Sequence, residues 1–120
     1  MKSKFITVRT EKEGFHFYPN AGSIDPRIKF LENEHRHLFK IELTIQVWHD
    51  DRELEFFLIK WELQDFINKQ YKFNHKSCEM IADDILEYFK AKYGDKRNYF
   101  VTVSEDGESD GSVVWHPEEE

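Results

Sequence analysis

From His37 to Trp48 the chain reads HLFKIELTIQVW. Phe39, Ile41, Leu43, Ile45 and Val47 recur on one parity, with Lys40, Glu42, Thr44 and Gln46 on the other. Side chains of a strand point alternately to its two faces, so this unbroken period of two dictates a half-buried antiparallel strand. One face is then too apolar to leave in water, and the rest of the chain has to supply a layer that covers it.

The preceding sequence offers more strand. Lys4 to Thr10 (KFITVRT) alternates, and Gly14 to Tyr18 (GFHFY) resumes after the charged EKE, as expected of one bulged strand or a short hairpin. Pro19 to Arg27 (PNAGSIDPR) has loop composition. After the long strand, His49 to Asp51 read as a turn and Arg52 to Phe56 as a returning hairpin partner.

The period then changes. Ile59, Leu63, Phe66 and Ile67 lie on one helical stripe within Phe57 to Lys69. A second stripe, Cys78, Ile81, Ala82, Ile85 and Phe89, opens behind Ser77 as N-cap and closes before Gly94, where a left-handed C-cap is wanted. Tyr99 to Ser104 is a strand, Glu105 to Gly111 a turn-rich segment and Val113 to Trp115 a short strand. Runs of strands around two helices predict an α+β domain: an antiparallel sheet with its helices on one face.

Composition narrows the functions available. Its 120 residues suffice for one domain with a real core, and 19 aromatic side chains supply the apolar surface. A net charge of -7 argues against an extended nucleic-acid or anionic-membrane surface. With Cys78 as its single cysteine the chain forms no internal disulfide and holds no Cys-rich zinc site. The charged opening MKSKFITVRT lacks the apolar core of a signal peptide, and no later run is long enough to span a membrane, so a soluble cytoplasmic protein is expected.

Chemistry concentrates in a few side chains. His35 and His37 are two residues apart on a strand, hence on one side and roughly 7 Å apart, close enough to share a metal ion. They have the parity of Phe39 and point inward, whereas Arg36 points to the opposite face. The alternative is a pair of solvated histidines at the start of a strand, bonded to backbone. A third ligand has to come from elsewhere, and His16 is the natural candidate if the first two strands are neighbours. Three neutral imidazoles with one open position describe a catalytic zinc site.

Glu105 shares the parity of Tyr99, Val101 and Val103, which places a carboxylate in line with an apolar face; a ligand with two N–H donors would satisfy it. It can equally belong to the acidic turn EDGESDG. Glu79 opens the second helix, where the helix dipole alone accounts for an acid. His75, just before that helix, is a candidate general base or a plain loop residue. Cys78 lies on the apolar stripe and reads as a small core residue. His49 and His116 belong to the turn and the tail.

Taken together these segments resemble the 6-pyruvoyl-tetrahydropterin synthase and 6-carboxytetrahydropterin synthase family, from about Gly14 to Trp115. "GFHFYPNA" and "EHRHLFKIEL" are similar to the family's first-strand His and its His-Gly-His, "EFFLIK" to its Asp-Phe-x-x-Leu-Lys, and "FNH" to its Leu-Asp-His. "SCEMIA" is similar to its Thr-Ser-Glu-Asn-Leu-Ala, and "VSE" to its final Val-x-Glu. The resemblance implies the tunnelling fold (T-fold), a four-stranded antiparallel sheet with two helices on one face, assembling into an oligomeric barrel, usually a hexamer with active sites at subunit interfaces.

It also implies a single domain over 1–116 with an acidic tail at 117–120, and Zn²⁺ on His16, His35 and His37. Glu105, with Glu79, would bind a pterin- or nucleotide-like small molecule. The activity implied is that of a tetrahydropterin synthase-like lyase acting on a dihydroneopterin triphosphate-like substrate, with His75 as the base. The alternative is a catalytically degenerate protein of the same fold that binds or sequesters a purine- or pterin-type molecule. Departures from the family pattern motivate that alternative: Pro19 to Glu34 lacks the family's catalytic Cys, Arg36 replaces a Gly, Asn74 replaces the Asp that orients the base, and the loop between His75 and the second helix is shortened.

Overall fold

The computed structural model describes residues 1–69 and 71–118. Its elements in chain order are β1 (Lys4–His16), α1 (Ala21–Ile24), a 3₁₀ helix (Pro26–Glu32), β2 (His35–Val47), α2 (Phe56–Asn68), α3 (Cys78–Tyr93), β3 (Tyr99–Glu105) and β4 (Ser109–Trp115). The strands form one antiparallel sheet in the order β1-β2-β3-β4.

The alternation of β2 does what its pattern dictates. Phe39, Ile41, Leu43 and Ile45 are fully buried, and Val101 and Val103 of β3 join them on the same face. The stripes of α2 (Ile59, Leu63, Ile67) and α3 (Cys78, Ile81, Ala82, Ile85, Leu86, Phe89) close over that face as one continuous core. At about 25 cal/mol per Å², such burial is the main force holding helices to sheet. Ser77 caps α3 by accepting the Met80 N–H at 3.2 Å, and Gly94 ends it at φ 104, a conformation that an L side chain resists.

Four expectations require correction. β1 is one unbroken strand without a bulge, in continuous register from Lys4↔Val47 to His16↔His35. The charged EKE keeps the period of two, sending Glu11 and Glu13 to the solvent face, where Glu13 meets Arg36 at 2.9 Å. Arg52 to Phe56 is no hairpin partner, because β1 and β3 occupy both edges of β2. Instead Arg52 turns at φ 56, the Glu53 carboxylate accepts the Trp48 N–H (2.6 Å) and pairs with Arg97 (3.0 Å), and Glu55 caps α2.

The expected loop Pro19 to Arg27 contains α1 and the start of the 3₁₀ helix, which Asp25 caps and Pro26 begins. Finally, β4 starts at Ser109 rather than Val113, leaving Glu105 as the last residue of β3 rather than part of the turn. Of the acidic tail, residues 119 and 120 lie outside the described residues. Among those described, no helix is long and apolar enough to cross a membrane.

Candidate metal centre

The register of the sheet gathers the candidate residues at one end. His16 pairs with His35, Gly14 with His37, and Phe39 with Glu105. The three imidazoles meet edge-on, with ring centroids 4.6 Å (His16–His35), 5.1 Å (His16–His37) and 5.0 Å (His35–His37) apart. Donor atoms of His16, His35, His37 and Glu105 all lie within 4.8 Å of one another, a span one ion with bonds of about 2 Å bridges after small side-chain rotations.

Hydrogen bonds fix which nitrogen each ring presents. His16 Nδ1 lies 2.9 Å from the Lys76 carbonyl, His35 Nδ1 2.8 Å from the Asn33 carbonyl, and His37 Nδ1 2.7 Å from Asp106 Oδ2. These partners accept, so each Nδ1 carries a proton and the ring nitrogen left to act as a ligand is Nε2. Two Nε2 atoms face the same carboxylate oxygen, Glu105 Oε2, at 2.8 Å from His37 and 3.0 Å from His16. The His16 approach lacks hydrogen-bond geometry, and Nε2 is a buried polar atom without a hydrogen bond among the described residues. Lone pairs directed at a carboxylate repel unless positive charge lies among them, so the donor set fits a divalent metal ion.

Aromatic rings pack against this cluster. Phe39 packs beneath His16 and His37 at 5.1 and 5.8 Å, and Phe73 stacks on Phe39 at 4.4 Å. Gly14 makes room for that stack, since a Cβ there would overlap the Phe73 ring. The next residue is anchored too: Asn74, at φ 46, bridges to β1 and accepts the Phe17 N–H at 2.8 Å. This brings the Lys76 carbonyl to His16.

The metal candidates line a cleft of about 660 Å³, whose walls also include His75, Cys78, Glu79 and Met80. All six residues singled out in the sequence therefore border one space, although His75 and Glu79 are exposed and stand on its rim. Cys78 also borders it, but burial, then the charges of Glu105, Glu79 and Asp110, push its thiol up to about 12, which leaves it protonated at neutral pH. Gly111 lets the first turn of α3 approach β4, because a Cβ there would meet the Glu79 backbone nitrogen at 2.6 Å.

Asp106 escaped the sequence reading. Its carboxylate is held below the usual range by the Leu38 N–H and then by His37. The Asp-Gly pair signals a tight turn, and both Asp106 (φ 58) and Gly107 (φ 76) do take left-handed conformations. That turn role hides the second one, because only the β2–β3 pairing shows which side chain lies across from the turn.

A four-stranded antiparallel sheet with its helices on one face, and a His₃–Glu cluster at its end, defines a T-fold domain with a candidate metal centre. Among solved structures, the 6-pyruvoyl tetrahydropterin synthase of Plasmodium falciparum matches with a TM-score of 0.68 over 95% of this chain and 98% of that one, at 16% identity. The fold is thus that of a 6-pyruvoyl tetrahydropterin synthase, in a divergent sequence. No family model and no curated protein matches the sequence.

Proposed function

We propose that the protein is a zinc-binding homologue of the 6-pyruvoyl and 6-carboxytetrahydropterin synthases that takes a dihydroneopterin triphosphate-like molecule into the cleft. The observation that carries this reading is the convergence of three Nε2 lone pairs whose Nδ1 atoms are all committed to acceptors. His16, His35 and His37 would hold Zn²⁺, which supplies Lewis-acid polarisation of ligand oxygens. Glu105, one-third exposed, faces both the histidines and the cleft, placing a carboxylate where the N–H edge of an amino-pyrimidine ring can be gripped. Glu79 adds a second acid at the rim, and His75 is the side chain available to move a proton. β1 and β4 are the edge strands of the sheet, which is compatible with assembly into a homo-oligomer, a hexamer by resemblance.

A second reading, binding or sequestration without turnover, is favoured by Cys78: burial and then the carboxylates around it push the thiol that borders the cleft up, away from the thiolate form. Zinc analysis tests the first reading. Protein purified without chelator should carry close to one zinc per chain and lose it in His37→Ala; metal-free wild-type protein would refute it. Incubation with dihydroneopterin triphosphate followed by product chromatography separates them. A metal-dependent product supports the enzyme, and tight binding without product supports the binder.

A further inference from the structure

Three histidines face the metal centre, but their outer nitrogens are not equally supported. His16 and His35 donate to neutral backbone carbonyls, whereas His37 donates to a carboxylate at 2.7 Å. That carboxylate is itself held. Asp106 Oδ1 accepts the Leu38 N–H at 2.8 Å, and the Asp106 N–H returns to the Leu38 carbonyl at 2.8 Å, so backbone and side chain bracket the residue after His37.

The left-handed turn brings this about. At φ 58, Asp106 reverses the chain directly after β3, and consecutive carboxylates reach opposite nitrogens of one ring: Glu105 at Nε2 and Asp106 at Nδ1. We propose that Asp106 is a positioning residue of the metal site, fixing the tautomer and orientation of His37 and making that imidazole the strongest ligand of the three. The inference rests on the metal reading above. Charged acceptors form stronger hydrogen bonds than carbonyls and increase the basicity of the opposite ring nitrogen, and losing such a partner typically weakens metal affinity by about 10–100-fold.

A turn role alone would also select Asp at this φ, so the test has to separate the two. Asp106→Asn retains the shape and the tolerance for left-handed backbone, but its single acceptor oxygen cannot serve both Leu38 and His37. Competition against a chromophoric chelator should find zinc bound about 10–100-fold more weakly than by wild type, with an altered visible spectrum of the Co²⁺ form. The melting temperature of the metal-free protein should stay close to wild type. Glu108→Gln, the same charge change at an exposed turn residue, should leave affinity unchanged.

Equal affinity in Asp106→Asn and wild type overturns the inference and leaves the metal site standing. A wild type that binds no zinc overturns both. Should the variant not fold, the zinc-loaded wild type still decides: the Nδ1 proton of His37 should be the furthest downfield of the three in the NMR spectrum. A His37 signal level with those of His16 and His35 would sink the proposal.

Discussion

Gly14→Ala should disturb the site without touching any of its side chains. A Cβ at Gly14 would lie within 3.0 Å of Phe73 Cδ2 and Cε2 and 3.2 Å from Cζ. Carbon atoms settle at about 3.5–4.0 Å, so the ring has to retreat by about 1 Å or more. It cannot do so freely, because Phe73 is 6% exposed, stacked on Phe39 and edged by Tyr71. Overpacking of this kind costs about 1–3 kcal/mol, while replacing a strand glycine returns about 0.4–1 kcal/mol through the unfolded chain, leaving a net loss of up to about 2.6 kcal/mol.

The displacement should also travel three residues to the Lys76 carbonyl and loosen His16, weakening zinc binding. Urea titration of the metal-free protein measures the first effect and chelator competition the second. Phe73→Leu in the same chain should recover part of the loss, with a coupling of about 1 kcal/mol. A Gly14→Ala variant as stable as wild type, with unchanged zinc affinity, would refute the claim that this contact sets the site.

Glu62 should matter in acid. Burial works to raise its pKa, but hydrogen bonds from Lys92, Tyr93 and Tyr88 outweigh it and the net value is lowered, so its stabilisation is complete above the unfolded carboxylate pKa of about 4.3 and is lost as pH falls through the lower folded value. Glu62→Gln should therefore cost about 1–3 kcal/mol at pH 7 and flatten the decline of stability below about pH 5, as read by urea titrations across pH. Cys78, its thiol pushed up to about 12, should react with an aromatic disulfide at least about 100-fold more slowly in the native than in the urea-unfolded chain; equal rates would remove the argument against a thiolate in the cleft.

Much of the site was legible because strand parity is local. The direction of His35 and His37, the outward Arg36 and the inward Glu105 all follow from counting residues away from the buried face. The helix boundaries were equally readable, since Ser77 and Gly94 are chemical signals rather than patterns. Arg52 to Phe56 misled for the opposite reason. Its polar and apolar residues alternate well enough to suggest a strand, but a strand needs a free edge, and that is a property of the assembled sheet.

The sequence by itself determined the layers and the faces: hydrophobic period is written residue by residue and follows from the geometry of one strand or one helix. Tertiary structure decided the coincidences. The register His16↔His35 makes a third imidazole join the pair, Gly14 beneath Phe73 brings the Lys76 carbonyl to His16, and the turn at Asp106 places a carboxylate behind His37. Each depends on contacts between residues tens of positions apart, whose alignment is set by the packing of the whole core and not by any local preference.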